Sequence, residues 1–75
     1  MTQLRAYLLL EELCRYCGDH MDPFYRVATN TILCGIIYRK LNSVETEIGR
    51  ETPTTKRIRY KVDQISRGEI SILAP

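Results

Sequence analysis

The sequence predicts a small, mainly α-helical domain, and three observations support this fold class. The chain has 75 residues, of which 44% are hydrophobic, and this size fits one modest core with no room for a second domain. Apolar residues recur at intervals of three and four in several stretches, as on the buried face of a helix. Glycine, proline and capping residues separate those stretches. We therefore expect a single domain over residues 1–75.

The first predicted helix runs from Thr2 to Cys17 and makes up an N-terminal region of residues 1–18. Thr2 is a predicted N-cap, and Gly18 is a predicted stop. A stripe that we expect to be buried consists of Ala6, Leu10, Leu13, Cys14 and Cys17. Further apolar residues widen this stripe: Leu4, Tyr7, Leu8 and Leu9. Because a small domain has little core to cover so wide an arc, we expect this helix to mediate dimerisation.

The second predicted helix runs from Pro23 to Leu41. Asp22 gives it an N-cap, followed by proline at the first helical position. Residues 32–38, ILCGIIY, are apolar on all sides, so we expect this helix to be the central element. A buried strand has the same pattern, and the helical flanks favour the helix.

Two further helices are predicted after an interruption at Asn42 and Ser43. A short helix capped by Ser43 runs from Val44 to Glu51, because the residue before Pro53 is disfavoured in helical geometry. The last helix covers residues 54–66, and its buried stripe consists of Ile58, Val62 and Ile65. Gly68 ends it, and the partial alternation over residues 69–73 predicts a short C-terminal β element.

Residues 57–73 also fit a β-hairpin. Ile58, Tyr60 and Val62 alternate along the chain, and a turn at residues 66–68 would lead back into a strand over residues 70–73. The position of Ile65 and the proline before residue 54 favour the helix instead.

The three cysteines and the single histidine allow two interpretations. Cys14, Cys17, His20 and Cys34 could together fill a tetrahedral zinc site. The helical spacing of the cysteines instead predicts that they pack in the core as small hydrophobic residues. We favour the core, predict no cofactor, and keep zinc as the alternative.

Enzymatic and membrane functions find little support. The histidine has no serine or cysteine nucleophile at a recognisable spacing, Glu11 and Glu12 point to different sides of a helix, and the sequence has no glycine-rich phosphate loop. No apolar run approaches the ~20 residues that span a bilayer, and the start of the chain lacks the pattern of a secretory signal. We expect a cytoplasmic protein that is not an enzyme and is not bound to a membrane.

Charge is unevenly distributed along the chain. The net charge is +2, but residues 53–75 carry +3 and the first 52 residues carry −1. Helical spacing places Lys56, Tyr60 and Gln64 along one exposed side of the last helix, with Arg57 and Lys61 beside them. Cations bind phosphates, while amide and hydroxyl groups can read base edges. A solvated amphipathic helix has the same composition.

The stretch from Ser43 to Ile70, SVETEIGRETPTTKRIRYKVDQISRGEI, resembles the winged helix-turn-helix of bacterial, archaeal and phage transcription regulators. A short apolar-faced helix, a small Gly49, a turn, a threonine-rich helix start and a glycine before a strand fall at similar spacing. The resemblance covers residues 23–73, with Pro23–Leu41 as the first helix, and is one of residue classes.

The resemblance implies a set of DNA contacts. The recognition helix would enter the major groove with Thr54, Thr55, Lys56, Arg57, Tyr60 and Lys61. Arg50 near the turn and Arg67 at the start of the wing would contact phosphate. The expected function is therefore that of a small transcriptional regulator that binds double-stranded DNA as a homodimer. The alternative is a helical protein-interaction module (an inhibitor, adaptor or secretion chaperone) that engages a protein partner through its first helix and does not bind DNA.

Overall fold

The computed structural model describes the backbone of residues 2–68 and the side chains of residues 5–68. Within that range three helices pack against one another: α1 (Thr2–Cys17), α2 (Asn30–Ile48) and α3 (Pro53–Arg67). A 3-10 turn over Pro23–Val27 lies between α1 and α2, and these residues contain no strand. The mainly helical fold class is confirmed. None of the helices in residues 2–68 has both the length and the apolar character needed to span a bilayer.

All three helices contribute to one core. Its buried residues are Ala6, Leu9, Leu10, Leu13 and Cys14 from α1, Leu33, Cys34, Ile37 and Leu41 from α2, and Ile58, Val62 and Ile65 from α3. Leu9 is only 5% exposed, so it faces its own domain rather than a partner, whereas Leu8 is 52% exposed. Gly18 has a φ of +80° and ends α1 as predicted. Much of the wide apolar arc of α1 is therefore covered within the monomer.

The predicted helix over Pro23–Leu41 is wrong at its start. Asp22 caps the first turn as predicted, but that turn is a 3-10 turn that ends at Val27, and two residues separate it from the α-helix. Ala28 is extended, with a ψ of 153°, and Thr29 is a new N-cap from which α2 begins at Asn30. None of the residues in the 3-10 turn is buried. Tyr25 is partly buried against the core, but one such contact gives the segment little of the packing that stabilises a helix in water.

The predicted interruption at Asn42 and Ser43 is also wrong, because α2 continues through both residues. Leu41 and Val44 on either side are 0% and 8% exposed, so they extend the buried stripe. Asparagine or serine inside a helix costs about 0.7 kcal/mol or less, whereas burying one large aliphatic side chain contributes about 1.5–3 kcal/mol. The segment predicted as a separate helix over Val44–Glu51 is therefore mostly the C-terminal part of α2.

The structure of α3 confirms the helix interpretation of residues 54–66. The helix extends from Pro53 to Arg67, which excludes the β-hairpin alternative, since its first strand would have begun at residue 57. Gly68 follows with a φ of +77° and ends the helix as predicted. The predicted β element over residues 69–73 lies outside the described residues, as does the capping side chain of Thr2.

Candidate nucleic-acid interface

The turn between α2 and α3 occupies residues 49–52. Gly49 has a φ of +88°, and its amide donates to the carbonyl of Glu45 at 2.8 Å. Glycine adopts this left-handed conformation without the strain that a side chain would add. A short turn that contains a glycine therefore joins α2 to α3.

A reciprocal cap holds the start of α3 in place. The amide of Thr55 donates to Thr52 Oγ1 at 3.1 Å, and the amide of Thr52 donates to Thr55 Oγ1 at 2.9 Å. Thr52 Oγ1 also shares a hydrogen bond of 3.0 Å with the Tyr16 hydroxyl of α1. Thr55 is 0% exposed, so it has no surface with which to make the DNA contact that the sequence suggested, and we remove it from the candidate set. Thr54 beside it is half-buried.

The outer side of α3 carries the predicted line of polar residues. Lys56, Tyr60 and Lys61 are exposed, with Tyr60 at 62%. Gln64 is half-buried, and its Nε2 donates to the Tyr60 hydroxyl at 3.0 Å, which confirms that the two residues share one side of the helix. Within residues 2–68, neither Lys56 nor Lys61 forms an ion pair. This surface therefore offers two ammonium groups, a phenol and an amide to a ligand.

The Arg57 side chain makes a contact that sequence reasoning missed. Its Nη2 donates to Glu12 Oε2 of α1, across 45 positions of the chain. The two side chains are 47% and 33% exposed. The hydrogen bond from Arg57 lowers the pKa of the Glu12 carboxyl, and the charges of Arg57, Lys61 and Arg15 act in the same direction against the effect of burial. In the free protein, Arg57 is thus engaged with a carboxylate.

Arg59 is the second arginine of α3 that pairs with a carboxylate. It donates to Glu45 Oε1 at 2.7 Å and to Asn42 Oδ1 at 3.1 Å, both on α2. The Tyr38 hydroxyl of α2 donates to Asp63 of α3, and burial, followed by this hydrogen bond, raises the pKa of Tyr38. These contacts hold the inner edge of α3 against α2 and leave its outer side to solvent.

Two further predicted phosphate contacts lie at opposite ends of α3. Arg50 is exposed in the turn that precedes the helix, and Arg67 is exposed at its last residue. Together with the two lysines they extend the basic character of the surface along the whole helix. The remainder of the predicted wing, residues 69–73, lies beyond the described part of the chain.

Two of the three cysteines, Cys14 and Cys34, lie in the core as one of the two interpretations predicted, whereas the expected burial of Cys17 is only partial. Cys14 and Cys34 are 1% and 5% exposed, and burial raises the pKa of both thiols. Cys17 is half-buried at the end of α1, and His20 is exposed. Among the described residues, no group of three or more histidine, cysteine, aspartate or glutamate side chains is placed to hold a metal ion.

Comparison with known proteins gives no match: no protein-family model, no curated protein and no solved structure is similar to the chain.

Proposed function

We propose that the protein binds double-stranded DNA as a small transcriptional regulator, with the outer side of α3 in the major groove. The observation that supports this is the line of Lys56, Tyr60 and the half-buried Gln64 along the outer side of α3, with the exposed Lys61 beside it. At a rise of 1.5 Å per residue this line is about 12 Å long. A helix with its side chains is about 10–12 Å across, which matches the roughly 12 Å width of the major groove.

Each residue type on this surface has a role that its chemistry suits. Lys56 and Lys61 bind phosphates, and the side-chain amide of Gln64 can pair with the N6 and N7 edge of adenine. Arg50 and Arg67 contact the backbone at the two ends of α3, and Thr54 lies at the end that enters the groove first. When DNA binds, the hydrogen bond between the Gln64 amide and the Tyr60 hydroxyl breaks, and Tyr60 contacts the neighbouring base edges.

The proposed architecture is a winged helix-turn-helix in a modified form. In this proposal, α2 and α3 with the Gly49 turn form the helix-turn-helix. The first helix of the domain is then α1, rather than the predicted helix Pro23–Leu41. A homodimer would place two copies of α3 on successive half-sites about 34 Å apart.

The direct test is a titration of a random-sequence DNA duplex at two salt concentrations, followed by fluorescence anisotropy. Non-specific DNA binding has dissociation constants of about 10⁻⁴–10⁻⁶ M at physiological salt and weakens as salt rises. We expect Lys56→Ala and Lys61→Ala each to weaken binding and to reduce the log–log salt slope by about 1.

Arg39→Ala provides a matched control, because Arg39 is an exposed cation on α2 rather than on α3. It removes the same charge, so an effect of overall charge alone would weaken binding equally in all three variants. Equal weakening would place the DNA contact elsewhere. A wild-type protein that binds no duplex at any salt concentration would refute the proposal.

A second candidate function, a protein-interaction module, is favoured by exposed apolar side chains that lie outside α1. Phe24, Val27 and Ile32 are 75%, 78% and 55% exposed and occur within nine positions of the chain. A partner bound there would be recognised by burial of apolar surface. Phe24→Ser would abolish such a complex and leave duplex binding unchanged. Loss of duplex binding in Phe24→Ser, with the fold intact, would argue against separate surfaces.

A further inference from the structure

A groove between α1 and α3 lies directly beside the proposed DNA-binding face. Its volume is about 240 Å³, and it is lined by two cations, one carboxylate and three apolar residues: Arg5, Lys61, Glu12, Leu8, Leu9 and Ile65. Lys61 also belongs to the outer side of α3, so the groove and that surface are continuous. Arg5 is exposed and brings a further cation, from a different helix, to the edge of the proposed interface.

The Glu12 carboxylate lies close to several of the cations of this region. Arg57 donates a hydrogen bond to it, and the charges of Lys61 and Arg15 also stabilise its ionised form. Carboxylate and phosphate groups accept hydrogen bonds from a guanidinium in the same planar manner. A place that stabilises a carboxylate with several cations is therefore also suited to a phosphate oxygen.

We propose that this groove is a phosphate subsite of the DNA interface, and that Glu12 is its internal competitor. In the free protein, the Glu12 carboxylate occupies the position that a backbone phosphate takes in the complex. When DNA binds, Arg57 exchanges Glu12 for a phosphate oxygen, while Arg5 and Lys61 contact the same strand. This inference rests on the proposed DNA binding and adds to it a contact from α1.

The exchange is feasible because the ion pair is partly exposed. Pairs of this kind contribute little to stability, since water solvates both partners when they separate. The released Glu12 carboxylate nevertheless remains close to the phosphate and repels it. The released carboxylate also binds a cation from solution. This uptake offsets the counterion that Arg57 releases from the DNA phosphate. Glu12 therefore weakens DNA binding and flattens its salt dependence.

The test compares Glu12→Gln with Glu11→Gln in the duplex titration. Both variants remove one negative charge from adjacent positions of α1, but Glu11 pairs with Arg15 rather than with Arg57. We expect Glu12→Gln to tighten binding on the order of tenfold near 0.1 M salt and to steepen the log–log slope by about 1. Glu11→Gln should change affinity much less. Urea denaturation of each variant verifies that the fold is retained.

Two further variants locate the effect. Arg5→Ala should weaken binding and reduce the slope by about 1. In an Arg57→Ala background, Glu12→Gln should lose the part of its gain that comes from competition for Arg57 and keep only the part that comes from removing the repulsion between Glu12 and the phosphate.

The outcomes separate this inference from the function on which it rests. Equal effects of Glu12→Gln and Glu11→Gln, in a protein that binds duplex DNA, would overturn the subsite and leave DNA binding intact. An unchanged gain of Glu12→Gln in the Arg57→Ala background would overturn the exchange in the same way. If neither the wild type nor any of these variants binds duplex, the proposed function itself fails, and the subsite fails with it.

Discussion

The outer side of α3 and the segment that leads into α2 present opposite chemistry to solvent. The exposed side of α3 carries Lys56, Tyr60 and Lys61 above a narrow buried stripe. The 3-10 turn and the first turn of α2 instead expose large apolar side chains, with Phe24 at 75% and Ile32 at 55%. One surface suits a charged, hydrated ligand, and the other suits an apolar protein surface.

This difference shows where the hydrophobic pattern of a sequence is informative. In α3 the apolar residues are few and regularly spaced, so only one orientation buries them. The apolar run at residues 32–38 allows several orientations, and the packing of α1 and α3 decides which residues are covered. Ile37 is 0% exposed, whereas Ile32 in the same run is mostly in contact with solvent.

The largest expected effect tests the contrast between the buried Ile37 and the exposed Ile32 of α2. Ile37→Ala should lower the free energy of unfolding by about 2–5 kcal/mol, since it removes a fully buried side chain and leaves a cavity. Ile32→Ala, the matched control on the exposed side, should change it by about 0.5 kcal/mol or less. Urea denaturation followed by circular dichroism measures both. Similar losses in the two variants would show that Ile32 is also covered in solution.

The next effect contrasts the N-caps of α2 and α3. Thr52 is 8% exposed and takes part in hydrogen bonds with Thr55 and Tyr16. Thr29, the exposed cap of α2, accepts from the amide of Ile32 at 3.3 Å. We expect Thr52→Ala to cost about 1–2 kcal/mol and Thr29→Ala about 0.5 kcal/mol. Thermal or urea unfolding of both variants measures the two losses of stability. A larger loss of stability in Thr29→Ala than in Thr52→Ala would contradict the expected difference between the two caps.

The smallest effect concerns pH and the pair of Glu12 with Arg57. Because the folded pKa of Glu12 is lowered, the pair stabilises the fold above the unfolded pKa, and this contribution disappears as pH falls through the folded pKa. The stability difference between wild type and Glu12→Gln should therefore be present at pH 7 and shrink towards zero in strong acid. Urea midpoints at a series of pH values measure it. A difference that does not vary with pH would exclude the ionised pair.

The helices with regular apolar spacing and clear capping residues were predictable from the sequence, whereas the contacts between helices were not. Thr2–Cys17 and the stripe of α3 follow from spacing and capping residues. The interruption at Asn42 and Ser43 was a wrong prediction because local helix propensity is outweighed by burial of the flanking Leu41 and Val44.

Among the candidate site residues, those on the exposed side of α3 were predictable in the same way. The pairing of Arg57 with Glu12 depends on where α1 packs, which no local pattern contains. The capping role of Thr55 had a signal that was overlooked: two threonines three positions apart at the start of a helix fit the spacing of a reciprocal cap.

Contacts from both neighbouring helices hold α3 in place: Tyr16 to Thr52, Tyr38 to Asp63 and Glu45 to Arg59. For α3 to open on its own, all of these would have to break together with its buried stripe. The amide protons in the middle of α3 should therefore exchange with deuterium only when the whole domain unfolds, whereas those of the 3-10 turn, which buries no residue, should exchange through local openings.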